Sequence, residues 1–283
     1  YAILHFQILT GGDRLANLVQ WFSMVGSLVG VSALAKLLSA DKRGELYAAL
    51  AVATLPLGIL QSSSTQTDYT TSFWLVCFVY FLMASRQPMR RWDLYLAGLS
   101  LGLALLTKNT SYFYAFPLLI WYILSQFPKL KWHMVRSVLV FGVSALLLNF
   151  PQYLRNDDMC QHPLSCPYVI EYSTNESMSL PLLTSNIVRG VSLHWATPFK
   201  ELNDVVMKAV IRIHEIVQLD ASDQRVTYQG QKYHIGGYTF HEDYAGNLLH
   251  QLIILYLLCW FLPRTRNADV KYYFISLLAV YLM

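Results

Sequence analysis

Long apolar runs separated by short polar segments dominate the chain. They cover 16–38, 46–60 with flanks, 69–85, 94–107, 111–126, 134–151, 247–263 and 272 onward. A membrane-spanning helix needs about 20 mostly apolar residues, with about 17 as the lower limit. The pattern therefore predicts an all-α polytopic membrane protein with about eight transmembrane segments. Run 94–107 reaches spanning length only if Trp92 or Asn109 extends it. The segment 152–246 breaks the pattern and reads as a folded polar cap of mixed α/β character. Within it, Leu202, Val205, Val206, Ala209, Val210, Ile213, Ile216 and Val217 recur at helical spacing, and Thr197-Pro198 reads as an N-cap followed by a first helical residue. That predicts an amphipathic helix over 198–218, its apolar face packed on the rest of the cap or laid on a membrane interface. The stretch VTYQ-GQ-KYHI, 226–235, reads as a β-hairpin with Gly in its turn. Three parts follow: 1–151 as a transmembrane core, 152–246 as the loop domain and 247–283 as C-terminal transmembrane segments.

Composition sharpens this. Hydrophobic residues make up 55% of the 283 residues and charged ones only 13%, about half the share of a soluble domain. This argues against a soluble globular enzyme, and the high hydrophobicity excludes a disordered chain. The net charge of +4 is modest, and no nucleic-acid partner is expected. Tyr1 and Met283 lie in apolar runs, so the chain reads as a fragment cut at both ends.

Charge sets the direction. Segments 41–44, 86–91, 129–131 and 264–271 together carry ten Lys or Arg, whereas the alternating loops 61–68 and 107–111 carry a single basic residue, Lys108. By the positive-inside rule the basic loops face the cytoplasm. The 152–246 segment, with 11 of the 17 acidic residues and five of the eight His, faces the opposite side. The expected location is a bacterial inner (plasma) membrane, with the site on the periplasmic or outer side. Disulfides are permitted there. Cys160 and Cys166 read as a disulfide pair or, with His162, as part of a metal site. Asn109-Thr110-Ser111 and Asn175-Glu176-Ser177 match a glycosylation acceptor pattern.

Ionisable residues at membrane depth are expensive and point to function. Asp68 follows the uncharged loop QSSSTQT and opens a span. It either caps that helix or places a carboxylate at the mouth of a cavity. Lys108 ends GLSLGLALLTK on the outer side. It either snorkels or offers a point charge to a phosphate. Arg155, leaving the span that ends NFPQYL, either anchors at the interface or faces a lipid phosphate. His241, Glu242 and Asp243 stand just before the span at 247–263. They are a solvated loop end or a ligand site, with a divalent cation as the candidate cofactor.

Several ordered segments resemble the multi-spanning GT-C glycosyltransferases, in the branch of protein mannosyltransferase-like, aminoarabinose transferase-like and Rgt-like lipopolysaccharide glycosyltransferases. The segments are Asp13-Arg14-Leu15-Ala16-Asn17, Leu55-Pro56 with the SSSTQTD loop ending in Asp68, the GLSLGLALLTK span ending in Lys108, and Pro151 with Tyr153-Leu154-Arg155-Asn156. The resemblance covers about 1–150. It implies an integral membrane glycosyltransferase with a polyprenyl-phosphate sugar donor, membrane lipid around it and an extracytoplasmic acceptor that is lipid, glycan or protein. It implies that the catalytic base belongs to a first outer loop lying before residue 1, and that Asp68 matches the acid of the second outer loop near the transfer site. Lys108 matches the Lys of the family's LTK motif, and a contact with the carrier phosphate is inferred for it. His241, Glu242 and Asp243 match no motif. Two other classes share the broad layout: an O-antigen ligase or polymerase, and a transporter or non-catalytic membrane protein. A transporter would gather its ionisable residues near mid-membrane rather than at the outer interface.

Overall fold

The computed structural model describes residues 2–86, 91–175, 177, 179–227, 231–236, 241 and 245–282. Almost all ordered elements are helical. In the first half they are α1 (Ala2–Thr10), α2 (Leu18–Leu37), α3 (Lys42–Ala53), α4 (Pro56–Gln61), α5 (Asp68–Ala84), α6 (Arg91–Thr107) and α7 (Ser111–Leu130). The remainder comprises α8 (Met134–Cys160), α9 (Pro167–Ser173), α10 (Leu180–Leu193), α11 (Lys200–Ile216), α12 (Leu248–Tyr256), α13 (Leu262–Arg264) and α14 (Ala268–Leu282). A short 3-10 turn at Lys131–His133 joins α7 to α8, and a π turn at Leu257–Phe261 joins α12 to α13.

The expectation of about eight membrane segments and a mixed α/β cap is corrected here. Among the described residues, two helical stretches are long and apolar enough to cross a membrane, Leu18–Leu37 and Ser111–Cys160. Asp68–Ala84, Trp92–Thr107 and Leu248–Arg264 are shorter apolar helices. Run 46–60 fails for a local reason. Pro56 drives the preceding Leu55 to extended backbone, so α3 ends at Ala53 and α4 restarts with Pro56 in its first turn. Runs 111–126 and 134–151 merge into one helical stretch across the 3-10 turn. Run 94–107 is extended at its Trp92 end.

The expected hairpin does not form among the described residues, which contain no β-strand; positions 228–230 lie outside them. An isolated two-stranded hairpin is marginal, and Tyr233 is engaged elsewhere. Its backbone N–H donates to Ser222 Oγ (3.1 Å), and its hydroxyl lies 2.6 Å from Ser192 Oγ. The helix expected at 198–218 begins at Lys200 instead. Thr197 stands outside it, its hydroxyl accepting from Phe199 N–H and bonding Asn203 Oδ1.

The chain divides into two compact units. One comprises Tyr1–Pro151 with Arg264–Tyr281, and the other centres on Gln152–Pro263. In the first, α5 packs between α2 and α6, with Phe78, Leu82, Ala97 and Ala104 fully buried. The α6–α8 contact is closer than side chains allow. A Cβ on Gly98 would come within 2.8 Å of Ser144 Oγ and 3.1 Å of Val140 O, and one on Gly102 within 3.0 Å of Ser144 O. Small residues four apart let two apolar helices approach closely where no hydrophobic force drives them together. Asn149, buried on α8, donates across that seam to Gly102 O (3.0 Å). At the far end of α5, Arg86 pairs with Asp269 (2.5 Å) and lies 5.0 Å over the Trp121 ring.

In the second unit, Cys160 and Cys166 are joined by a disulfide. Asn156 holds that loop, donating to Pro163 O and Leu164 O (both 3.1 Å). His194, just past α10, is pushed below its ordinary value of 6.5 by burial.

Two outcomes follow. Gly102→Val should destabilise the first unit by about 1–3 kcal/mol through overpacking, read as a lower Tm in detergent. Gly142→Ala on α8, where a Cβ meets nothing within 4 Å, should be neutral or slightly stabilising. For His194, the unfolded chain takes up the proton first as pH falls below 6.5, so the folded state loses stability below that value. Thermal melts at about pH 7.5 and about pH 5.5 should show a smaller pH-dependent drop in His194→Gln than in the parent.

Candidate functional site

Two of the residues singled out from the sequence, Asp68 and Lys108, meet at the ends of two antiparallel neighbours, α5 and α6. The segment joining α5 to α6 lies at one end of the pair, so the N-terminus of α5 and the C-terminus of α6 share the other. Asp68 occupies the first turn of α5, and Lys108 follows the last residue of α6. Lys108 Nζ lies 2.5 Å from Asp68 Oδ1. Each charge also suits its helix end, the carboxylate at the positive pole of one macrodipole and the ammonium at the negative pole of the other. The side chains are 35% and 38% exposed respectively, so the pair is open to an incoming polar group.

Neighbouring contacts fix its geometry. Lys108 N–H donates to Ala104 O (3.1 Å), and the buried Ser111 hydroxyl donates to the same carbonyl (2.9 Å). That ties the start of α7 to the end of α6. On the other side, Gln20 of α2 is fully buried, and its Oε1 accepts from Thr70 N–H (3.0 Å) and Thr70 Oγ1 (3.1 Å). The first-turn N–H groups of a helix have no intrahelical acceptor, so Gln20 caps α5 from outside, two residues from Asp68. Ser23 Oγ adds a contact with Thr70 Oγ1 (3.1 Å). Among the described residues, no group accepts from Gln20 Nε2. Thr67 precedes α5 without making a side-chain cap, and Asp68 turns to Lys108.

Gln20, Ser23 and Thr70 were not singled out from the chain alone. A glutamine inside the apolar run NLVQWFSMVG was the available signal, because a buried amide in such surroundings must find a partner.

Arg155 lies within α8 in the second unit, and its guanidinium donates to Gln152 Oε1. His241 is exposed. Glu242 and Asp243 lie outside the described residues, so the cation site expected there is not described. Among the described residues, no group of three His, Cys, Asp or Glu gathers as a metal site. Cys160 and Cys166 are bonded to each other and so do not act as thiolate ligands with His162.

Chemically, the α5–α6 end offers an ammonium matched to an anion and a carboxylate able to accept a hydrogen bond from a hydroxyl. No curated protein and no solved structure matches the chain. Residues 2–153 do match the family described as dolichyl-phosphate-mannose-protein mannosyltransferase. The match covers every helix that builds the Asp68–Lys108 pair and stops short of α9, α10 and α11. With more than half of its length matched, the chain belongs to the dolichyl-phosphate-mannose-protein mannosyltransferase family.

Proposed function

We propose that the protein transfers a sugar from a polyprenyl-phosphate donor to an extracytoplasmic acceptor, and that the Asp68–Lys108 pair serves the donor end of this reaction. The observation that carries the reading is the ion pair itself, standing at the opposite end of α5 from Arg86. A polyprenyl phosphate keeps its tail among lipids and its phosphate at headgroup level. A cation for it therefore has to stand at a helix end, open to the side, as Lys108 does.

In this reading the acceptor hydroxyl oxygen attacks the anomeric carbon. The bond from that carbon to the phosphate oxygen breaks, and its electron pair leaves with the lipid phosphate. A carboxylate takes the acceptor proton. One displacement inverts the sugar configuration. Lys108 stabilises the charge growing on the departing phosphate, a role suited to a compact ammonium. Asp68 keeps that ammonium oriented and accepts a hydrogen bond from the sugar or the acceptor. The proposed location is the plasma membrane, with the pair on its non-cytoplasmic face.

A part-exposed ion pair contributes only about 0–1 kcal/mol to stability, so its members can be replaced without unfolding the chain. In membranes holding the full-length protein, with a polyprenyl-phosphate mannose probe, Lys108→Ala should lower transfer at least tenfold, and Asp68→Asn comparably. Lys108→Arg should retain part of the activity with a raised KM for the donor. Protein level and Tm should stay at parent values throughout. Parent-like turnover in both Lys108→Ala and Asp68→Asn would overturn the assignment.

A further inference from the structure

The second unit buries polar side chains beside apolar ones and leaves aliphatic stripes exposed. Helix α11 carries a stripe of Leu202, Val205, Ile213 and Ile216, and this stripe faces outward, with Val205 63% and Ile216 75% exposed. The positions that α11 buries are Asn203, Val210 and His214, at 4%, 4% and 2% exposure. Helix α10 follows the same rule. It buries Leu182, Ser185 and Ser192 and exposes Leu180 and Leu183.

The interior so formed is a hydrogen-bonded polar network. His214 Nδ1 donates to Val210 O (2.8 Å), which can only accept, and His214 Nε2 lies 2.8 Å from Ser185 Oγ. Arg189 donates to Ala221 O (3.1 Å) and Val226 O (2.9 Å). Asn203 accepts from Thr197 N–H (2.8 Å) and donates to Thr197 O (2.9 Å). Buried polar groups are tolerable when paired in this way. The apolar side chains left over line an open groove of about 400 Å³ between α10 and α11, walled by Ile187, Val188, Val191, Trp195, Val205 and Val206.

Two observations say what covers this face. First, the end of α10 is pinned to the start of the apolar helical run Leu248–Arg264. Asn247 N–H donates to His194 O (3.0 Å), and a Cβ on Gly246 would lie 2.1 Å from Ala196 O, so only glycine allows the approach. That run is itself apolar and exposed, with Leu249 at 64%, Tyr256 at 59% and Trp260 at 52%, so the α10–α11 face stands beside a second apolar surface, more than a water-facing patch ordinarily holds. Second, the charged residues of α11, namely Lys200, Glu201, Asp204, Lys208, Arg212 and Glu215, keep to the side of the helix away from Leu202 and Ile213, and all but the half-buried Asp204 are exposed. An apolar stripe bordered by a charged flank is the layout of a helix lying in a membrane interface.

We propose that the α10–α11 face is a lipid-docking surface, seated in the outer-leaflet interface with acyl chains in its groove. It holds the second unit down on the membrane through contacts separate from the chain's entry helices. The inference is independent of the transfer chemistry above, and it concerns residues outside the matched family region.

The test uses the full-length protein with Cys77→Ser and Cys259→Ser, in nanodiscs of phosphatidylethanolamine and phosphatidylglycerol. An environment-sensitive fluorophore is placed on Val205→Cys, on Ile213→Cys and, as the control on the opposite side of the helix, on Lys200→Cys. The expected result is severalfold stronger quenching by doxyl-labelled lipids at 205 and 213 than at 200, with matching protection from aqueous iodide. Ready iodide quenching at 205 and 213 would overturn the proposal by showing a water-facing stripe. Protection from both quenchers would overturn it by showing a protein cover, either a second copy or another segment. Because all three positions are exposed, labelling leaves the fold intact. Leu202→Cys, 52% exposed on the same stripe, repeats the measurement should one variant express poorly.

Discussion

How closely α6 can approach its neighbours governs the larger unit. Against α8, Gly98 and Gly102 leave room for no side chain before the backbone of Val140 and Ser144. Against α5, Ala97 and Ala104 are fully buried, as are Phe78 and Leu82 of α5. Helices packed at this distance cannot slide without opening voids or clashing, so their relative register is held. Antiparallel packing in that register brings the first residue of α5 and the residue after α6 into contact, and this contact is the Asp68–Lys108 pair.

Charge then appears at both ends of an apolar middle. The 17 residues of α5 extend about 25 Å at the α-helical rise. Asp68 and Lys108 pair at one end of that length. Beyond the other, Arg86 pairs with Asp269 beside the Trp121 ring. Both pairs couple segments that are distant in the chain, and both leave the middle of the bundle to aliphatic and aromatic packing. A charge buried in that middle without a partner would be costly.

The second unit solves a different problem. Its interior mixes paired polar groups with a few small or aliphatic side chains such as Leu182, Val210 and Val226, and much of the aliphatic stripe of α11 remains on the outside. In water such a patch is a liability; at a lipid interface it is an anchor. The disulfide and the Asn156 contacts stiffen the chain leading into this unit. The pinning of Asn247 to His194 closes it at the other side.

Much of this was legible in the amino-acid order, because it rests on local chemistry. Long apolar runs announce helices, and the spacing in α11 announces an amphipathic one. Asp68 and Lys108 stand out as isolated charges, and their neighbouring motifs point to the family that matches. What lay beyond the sequence depends on partners far away in the chain. The break at Pro56, the merging of two runs into Ser111–Cys160 and the capture of Tyr233 by Ser192 each turn on backbone geometry or tertiary contact. Periodicity shows that α11 has an apolar face but not which way it points. In the fold Asn203 and His214 turn inward, where they bond Thr197 and Val210, and much of the aliphatic stripe is left outside. Likewise the cap that Gln20 places on α5 exists only because packing brings α2 alongside.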